Sequence, residues 1–105
     1  MTRAHIDIPH EAIAAFCRRW EIAELALFGS VLRDDFGADS DVDVLVTFAP
    51  DAGTTLFDMV DMQEELQAIL GRPVDLLSRR GVEQSRNPFR RKAILSSAET
   101  VYVAG

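Results

Sequence analysis

A chain of 105 residues is the size of one domain, and the expectation is a single domain over residues 1–105. Hydrophobic residues at 48% and charged residues at 27% exclude a disordered chain. Asp and Glu outnumber Lys and Arg by 17 to 11, a net charge of −6, which argues against gripping duplex DNA through its phosphates.

The segment Met1 to Pro9 lacks the apolar core of a signal peptide. No stretch approaches the roughly 20 apolar residues of a membrane span. The expected location is therefore the cytoplasm. Ile13, Phe16, Cys17 and Trp20 recur at helical spacing, with Asp7 as the expected cap and Pro9 in the first turn. Cys17 is the single cysteine, so neither a disulfide framework nor a thiolate zinc site can form, and it reads as a small buried hydrophobe. Ile22 to Phe28 reads as a strand ending at Gly29-Ser30. Val31 to Phe36 reads as a short helix or turn closed by Gly37. Asp41 to Phe48 alternates and is β-branched, a second strand.

After a loop at Pro50 to Gly53, Thr55 and Asp58 have the form of a capping box. They open a helix with Leu56, Met59, Val60, Leu66, Ile69 and Leu70 expected inward and Gly71 as its stop. Pro73 to Leu77 reads as a third strand. Asn87-Pro88 starts a helix running to about Ser97, and Val101 to Val103 is a last strand or an ordered tail.

Three aspartates interrupt apolar strands. Asp41 and Asp43 precede Val44-Leu45-Val46, and Asp75 lies between Val74 and Leu76. Residues i and i+2 of a strand point to one face, roughly 6.5–7 Å apart, so Asp41 and Asp43 project together. Carboxylates so placed either lie on a solvated face or repel one another around a cation. Oxygen donors without His or Cys select Mg²⁺ or Mn²⁺. Gly29-Ser30 follows a strand, where the backbone can approach a ligand closely and a helix start offers N–H groups to phosphate. Alone, Gly-Ser is also an ordinary tight turn.

Together these residues give Gly29-Ser30, ten residues, then Asp41-x-Asp43, in L-F-G-S-V-L-R-D-D-F-G-A-D-S-D-V-D-V-L-V. This pattern resembles the signature of the polymerase-beta-type nucleotidyltransferases. With Arg33, the Ser40-Asp41 pair, the helix ending L-G-R and the V-D-L-L strand in order, nearly the whole chain resembles a minimal nucleotidyltransferase, or MNT, domain. The resemblance implies an α/β (α+β) fold, a small mixed sheet with helices packed on one side. It implies two Mg²⁺ ions held by Asp41, Asp43 and Asp75, with Asp75 serving or assisting as base. It further implies ATP as substrate, with its β- and γ-phosphates at Gly29 and Ser30 and with Arg33 and Ser40 in the nucleotide site.

Stand-alone MNT domains resemble the antitoxin half of toxin–antitoxin pairs. The resemblance therefore implies transfer of AMP to a tyrosine of a HEPN-type ribonuclease toxin. Two other functions stay open: neutralisation of the partner by binding alone, and small-molecule adenylylation by a homodimer. Arg79, Arg80, Arg86, Arg90, Arg91 and Lys92 place six of eleven basic residues in fourteen positions. That run is a solvated face, a docking face for an acidic partner near the open side of the cleft, or a set of side chains that reach the nucleotide. On the docking reading, reversing Arg90 and Arg91 leaves ATP binding untouched. His5 and His10 receive no role, and Tyr102 reads as packing or an exposed tail residue.

Overall fold

The computed structural model describes residues 6–33, 37 and 40–104. Its elements are α1 (His10–Arg19), β1 (Ile22–Phe28), a 3₁₀ turn (Gly29–Leu32), β2 (Val42–Phe48), α2 (Leu56–Leu70), β3 (Val74–Ser78), α3 (Arg79–Glu83), α4 (Pro88–Ser97) and β4 (Glu99–Val103). The proposed turn at Val31 to Phe36 begins two residues earlier than expected, and its residues 34–36 lie outside the described ones.

The four strands form one mixed sheet in the order β3-β2-β1-β4. β1 runs antiparallel to β2 and β4, while β2 and β3 are parallel. Parallel neighbours need a crossover, and α2 supplies it. Alternation along the strands sorts side chains to two faces. Val42, Val44 and Val46 join Leu25, Leu27, Val74 and Leu76 in the main core, under Ile13, Phe16 and Cys17 of α1 and Met62 and Leu66 of α2. Ala26, Phe28 and Leu45 face the other way and meet Val82 of α3 and Ile94 of α4. The mixed sheet and the α+β class are as expected. The two helices that build the main core share one face, and α3 and α4 add a smaller cover on the other.

Local chemistry fixes the helix ends. The Thr55 hydroxyl accepts from the Asp58 N–H at 3.2 Å and the Asp58 carboxylate accepts from the Thr55 N–H at 3.0 Å, the reciprocal capping box. Gly71 stops α2 with a left-handed φ of 67°. The Asn87 side chain accepts from the N–H groups of both Phe89 and Arg90 at 3.1 Å. At α1 the expected cap is displaced. Pro9 itself is the N-cap, its ψ of 85° is not helical, and no side chain caps the helix, so Asp7 does not do so. The Pro9 carbonyl starts the ladder by accepting from the Ile13 N–H at 2.9 Å.

The inward stripe of α2 also differs from the expectation. Leu56 is 84% exposed and Val60 58% exposed, whereas Met62 is fully buried. At about 100° per residue, a stripe of Met59, Met62, Leu66, Ile69 and Leu70 leaves Leu56 and Val60 a quarter turn or more to its side. The helix is joined to its neighbours by polar contacts. Glu65 accepts from the Trp20 indole at 2.7 Å and from Arg19 at 3.0 Å, tying α2 to the end of α1. Gln67 and Gln63, one turn apart, accept from the outward N–H groups of Val74 and Leu76, each at 3.2 Å. Two side chains thereby close the exposed edge of β3 on either side of Asp75.

Candidate active site

The site begins at the end of β1. Phe28 pairs with Asp43 across the sheet, so the next residue must turn away beside the Asp43 side chain. That residue is Gly29, with φ +73°, and a Cβ there would overlap Asp43 Oδ2. Only glycine serves both the left-handed backbone and the close approach. Val31, fully buried, anchors the 3₁₀ turn to the core. The Ser30 hydroxyl donates to the Asp41 carbonyl at 3.4 Å, and the Arg33 N–H donates to the Ser30 carbonyl at 2.9 Å. The turn and the start of β2 are thus held against each other.

Asp41, just before β2, is exposed. Asp43, within it, is half-buried and alternates with Val42 and Val44, so it shares its face with Leu45. In the parallel register Asp43 lies directly beside Asp75, and the alternation of β3 places Asp75 on that same face. The electrostatics follow from this geometry. Burial pushes the Asp43 carboxyl above the usual range of 3.8, the negative charges of Asp75 and Asp41 push it further, and Arg33 and Arg90 partly offset them. The structure therefore brings Asp43 and Asp75 together in register, with Asp41, Arg33 and Arg90 near enough to act on Asp43.

Ser40 is placed differently. Its hydroxyl accepts from the Gly37 N–H at 3.2 Å and its own N–H donates to the Gly37 carbonyl at 3.1 Å, so it fixes the loop into Asp41. Arg90 is the residue of the basic run whose charge is felt at the carboxylates. The basic run does not form one face: Arg79 pairs with Glu83 at 3.6 Å and Arg91 donates to the Ser85 carbonyl at 2.9 Å, while Arg90 acts on Asp43. The expectation that reversing Arg90 leaves ATP binding untouched is therefore withdrawn, because the charge at that position reaches the carboxylates. Helix α3, unmarked in the sequence, and a cavity of about 340 Å³ that it lines with β3 and α4 were also missed.

Among the described residues, no group of three or more His, Cys, Asp or Glu side chains stands ready to hold a metal ion. The donor chemistry nonetheless suits a hard cation: the oxygen ligands are carboxylates that repel one another around Asp43, and Mg²⁺ is commonly held by one or two carboxylates completed by substrate phosphates. Asp41, Asp43 and Asp75 are the residues that could hold it. Cys17 has no part in this chemistry, since it is fully buried and its thiol is pushed up to about 12 by that burial. Tyr102 is half-buried and packs against the main core.

A mixed sheet that carries a Gly-Ser turn beside paired strand carboxylates fits the nucleotidyl-transfer class that the sequence pattern resembles. Residues 10–101 match the family model described as a nucleotidyltransferase domain, and the chain belongs to that family. A Methanocaldococcus jannaschii protein assigned as a protein adenylyltransferase is 32% identical over 80 residues, 76% of this chain and 80% of its own. A solved structure assigned as a minimal nucleotidyltransferase is 36% identical with a TM-score of 0.66, covering 86% of each chain. The fold also matches, at 20% identity and a TM-score of 0.59, over 90% of this chain and 70% of the other, a solved complex of a tri-AMPylated Shewanella oneidensis HEPN toxin with an MNT antitoxin. Among the described residues no helix is long and apolar enough to cross a membrane.

Proposed function

We propose that this chain is a Mg²⁺-dependent protein adenylyltransferase that moves AMP from ATP to a tyrosine hydroxyl of a HEPN-type toxin and so acts as its antitoxin. The observation that carries the reading is the Asp43–Asp75 register pair on the face where Gly29 packs against Asp43. Asp43 is half-buried beside the exposed Asp75, and like charges so placed repel one another unless a bound cation offsets them. The named relatives, a protein adenylyltransferase and an MNT antitoxin bound to an AMPylated toxin, support the choice of reaction and partner.

In this mechanism the N–H groups of Gly29 and Ser30 bind the β- and γ-phosphates. Arg33 and Arg90 lie near enough to Asp43 to temper the charge gathered around it. Divalent cations, held by Asp41, Asp43 and Asp75, would neutralise charge on the entering and leaving oxygens of an in-line displacement. The acceptor oxygen forms its bond to the α-phosphorus as the bond from that phosphorus to the bridging α–β oxygen breaks and pyrophosphate leaves. The acceptor proton passes to the Asp75 carboxylate.

The test is incubation with α-labelled ATP, Mg²⁺ and a HEPN-type toxin as the candidate partner, followed by gel separation. Label should move to the toxin, and Asp43→Asn should abolish the transfer while leaving the fold intact. A toxin that is neutralised by the wild-type chain yet remains unlabelled would support neutralisation by binding alone.

A further inference from the structure

Taking the toxin as partner, we infer that the outer side of α2 grips it separately from the transfer site, meeting apolar residues of the toxin flanked by Lys or Arg. Among the described residues, five large apolar side chains are exposed. Three of them, Leu56, Phe57 and Val60, fall within the first five residues of α2, whereas Phe89 and Val103 lie on other elements. A lone exposed apolar residue is ordinary, but a contiguous patch marks a contact surface. Residues three apart adjoin on a helix, so Phe57 and Val60 form one apolar knob, on the side away from the buried Met62 and Leu66. Leu56 extends the patch into a groove of about 450 Å³ that it lines with Phe48, Ala49, Pro50 and Met59.

Charge selects the occupant. Helix α2 carries four carboxylates, Asp58, Asp61, Glu64 and Glu65, and no Lys or Arg. Asp58 is engaged in the capping box, and Glu65 holds Trp20 and Arg19. Asp61 and Glu64 are exposed and make no ion pair among the described residues. They continue the outer side of the helix, Asp61 one turn beyond Phe57 and Glu64 one turn beyond Val60. The surface is thus apolar at one end and negative at the other, with roughly 10 Å of helix rise between Phe57 and Glu64. Arg80 lines the groove at the apolar end, so the partner's cations belong at the Asp61–Glu64 end. A second copy of this chain would set α2 against α2, with no basic side chain on either helix to answer the carboxylates. An anionic membrane surface would repel the same carboxylates. Helix α2 covers the sheet face of Val42, Val44 and Val46, while Asp43 and Asp75 turn to the other. A toxin held on α2 therefore leaves the carboxylate face open, and grip and transfer are separable.

The test is calorimetric binding of a HEPN-type toxin to four chains: wild type, Phe57→Ser with Val60→Ser, Asp61→Lys with Glu64→Lys, and Asp43→Asn. Both surface pairs alter exposed positions only. Each pair should weaken toxin binding at least tenfold while keeping the wild-type affinity for a non-hydrolysable ATP analogue, which also reports that the variant is folded. The lysine pair should in addition flatten the salt dependence of toxin binding. Asp43→Asn should hold the toxin as tightly as the wild type. Wild-type affinity for the toxin in both surface pairs would overturn the proposal, and so would a loss confined to Asp43→Asn, which would put the grip at the transfer site. Light scattering covers the remaining occupant: a wild-type dimer that Phe57→Ser with Val60→Ser turns into a monomer would give the patch to a second copy and overturn the proposal. A wild-type chain that binds no toxin would defeat the toxin as partner, whereas binding that both surface pairs retain would defeat this surface alone.

Discussion

The two faces of the sheet are built to different specifications. One, under α1 and α2, gathers fourteen buried side chains among the described residues, all of them apolar. The other, under α3 and α4, gathers five, and it also carries Asp43 and Asp75 and borders the cavity. The first face supplies most of the apolar burial that holds the fold. The second leaves room for a ligand and keeps like charges close together. Stability and chemistry are thereby separated by the pleat of two neighbouring strands, in which Val42 and Val44 turn one way and Asp43 the other.

This division can be broken by mutation on each side. Leu66→Ala, at a fully buried position of the first face, should cost about 2–5 kcal/mol in urea unfolding. Val82→Ala on the second face should cost only about 1–2 kcal/mol, on roughly 0.8 kcal/mol per buried CH₂. Equal losses would mean that the second face carries as much of the fold as the first. Gly29→Ala strikes the boundary between them. The left-handed backbone alone should cost about 1–2 kcal/mol, and displacement of Asp43 should remove transfer from whatever folds, as seen in a labelled-ATP assay.

Next in size is a pH effect that belongs to the second face alone. The folded-state pKa of Asp43 is raised, so the folded chain holds that proton more tightly than the unfolded one. Stability of the metal-free protein should therefore fall as pH rises from the ordinary value of 3.8 through the raised one, and Asp43→Asn should remove that part of the slope. Urea midpoints of both proteins between pH 3.5 and 7 measure it. An identical slope in the variant would show that the carboxylates do not oppose one another. The smallest effect lies on the first face. Cys17, with its thiol pushed up to about 12, should resist iodoacetamide at pH 8 while the protein is folded and react once urea unfolds it.

Much of this division was legible in the sequence, because period-2 alternation is a local signal. Asp41-x-Asp43 and the V-D-L-L run each name a face, and β1 was read with its observed limits from an apolar stretch bounded by Gly29. Asn87-Pro88 marked the start of α4 for a similar local reason, a cap followed by a residue suited to the first turn. The contacts that cross the chain were not legible. Arg90 reads as one of a basic run, and only the packing of α4 over the sheet brings its charge to Asp43. Helix α3, five residues long with Ser78 as its cap, is too short for a periodic signal. Leu56 and Val60 are apolar residues in an apolar helix, and apolar character alone does not show which side of it meets the sheet. The site roles assigned to Asp41, Asp43, Asp75, Gly29, Ser30, Arg33 and Ser40 came from the family pattern. The geometry sets Gly29 and Asp75 beside Asp43 and Ser30 against Asp41, while the Ser40 hydroxyl is engaged by Gly37.

The central claim is that the second face is a cation-dependent nucleotide site built on Asp43. Isothermal titration with a non-hydrolysable ATP analogue tests it most directly, comparing the wild-type chain in Mg²⁺, the wild-type chain in EDTA, and Asp43→Asn in Mg²⁺. The account predicts binding in the first case and at least a tenfold loss of affinity in the other two. Equal affinity in all three would contradict it.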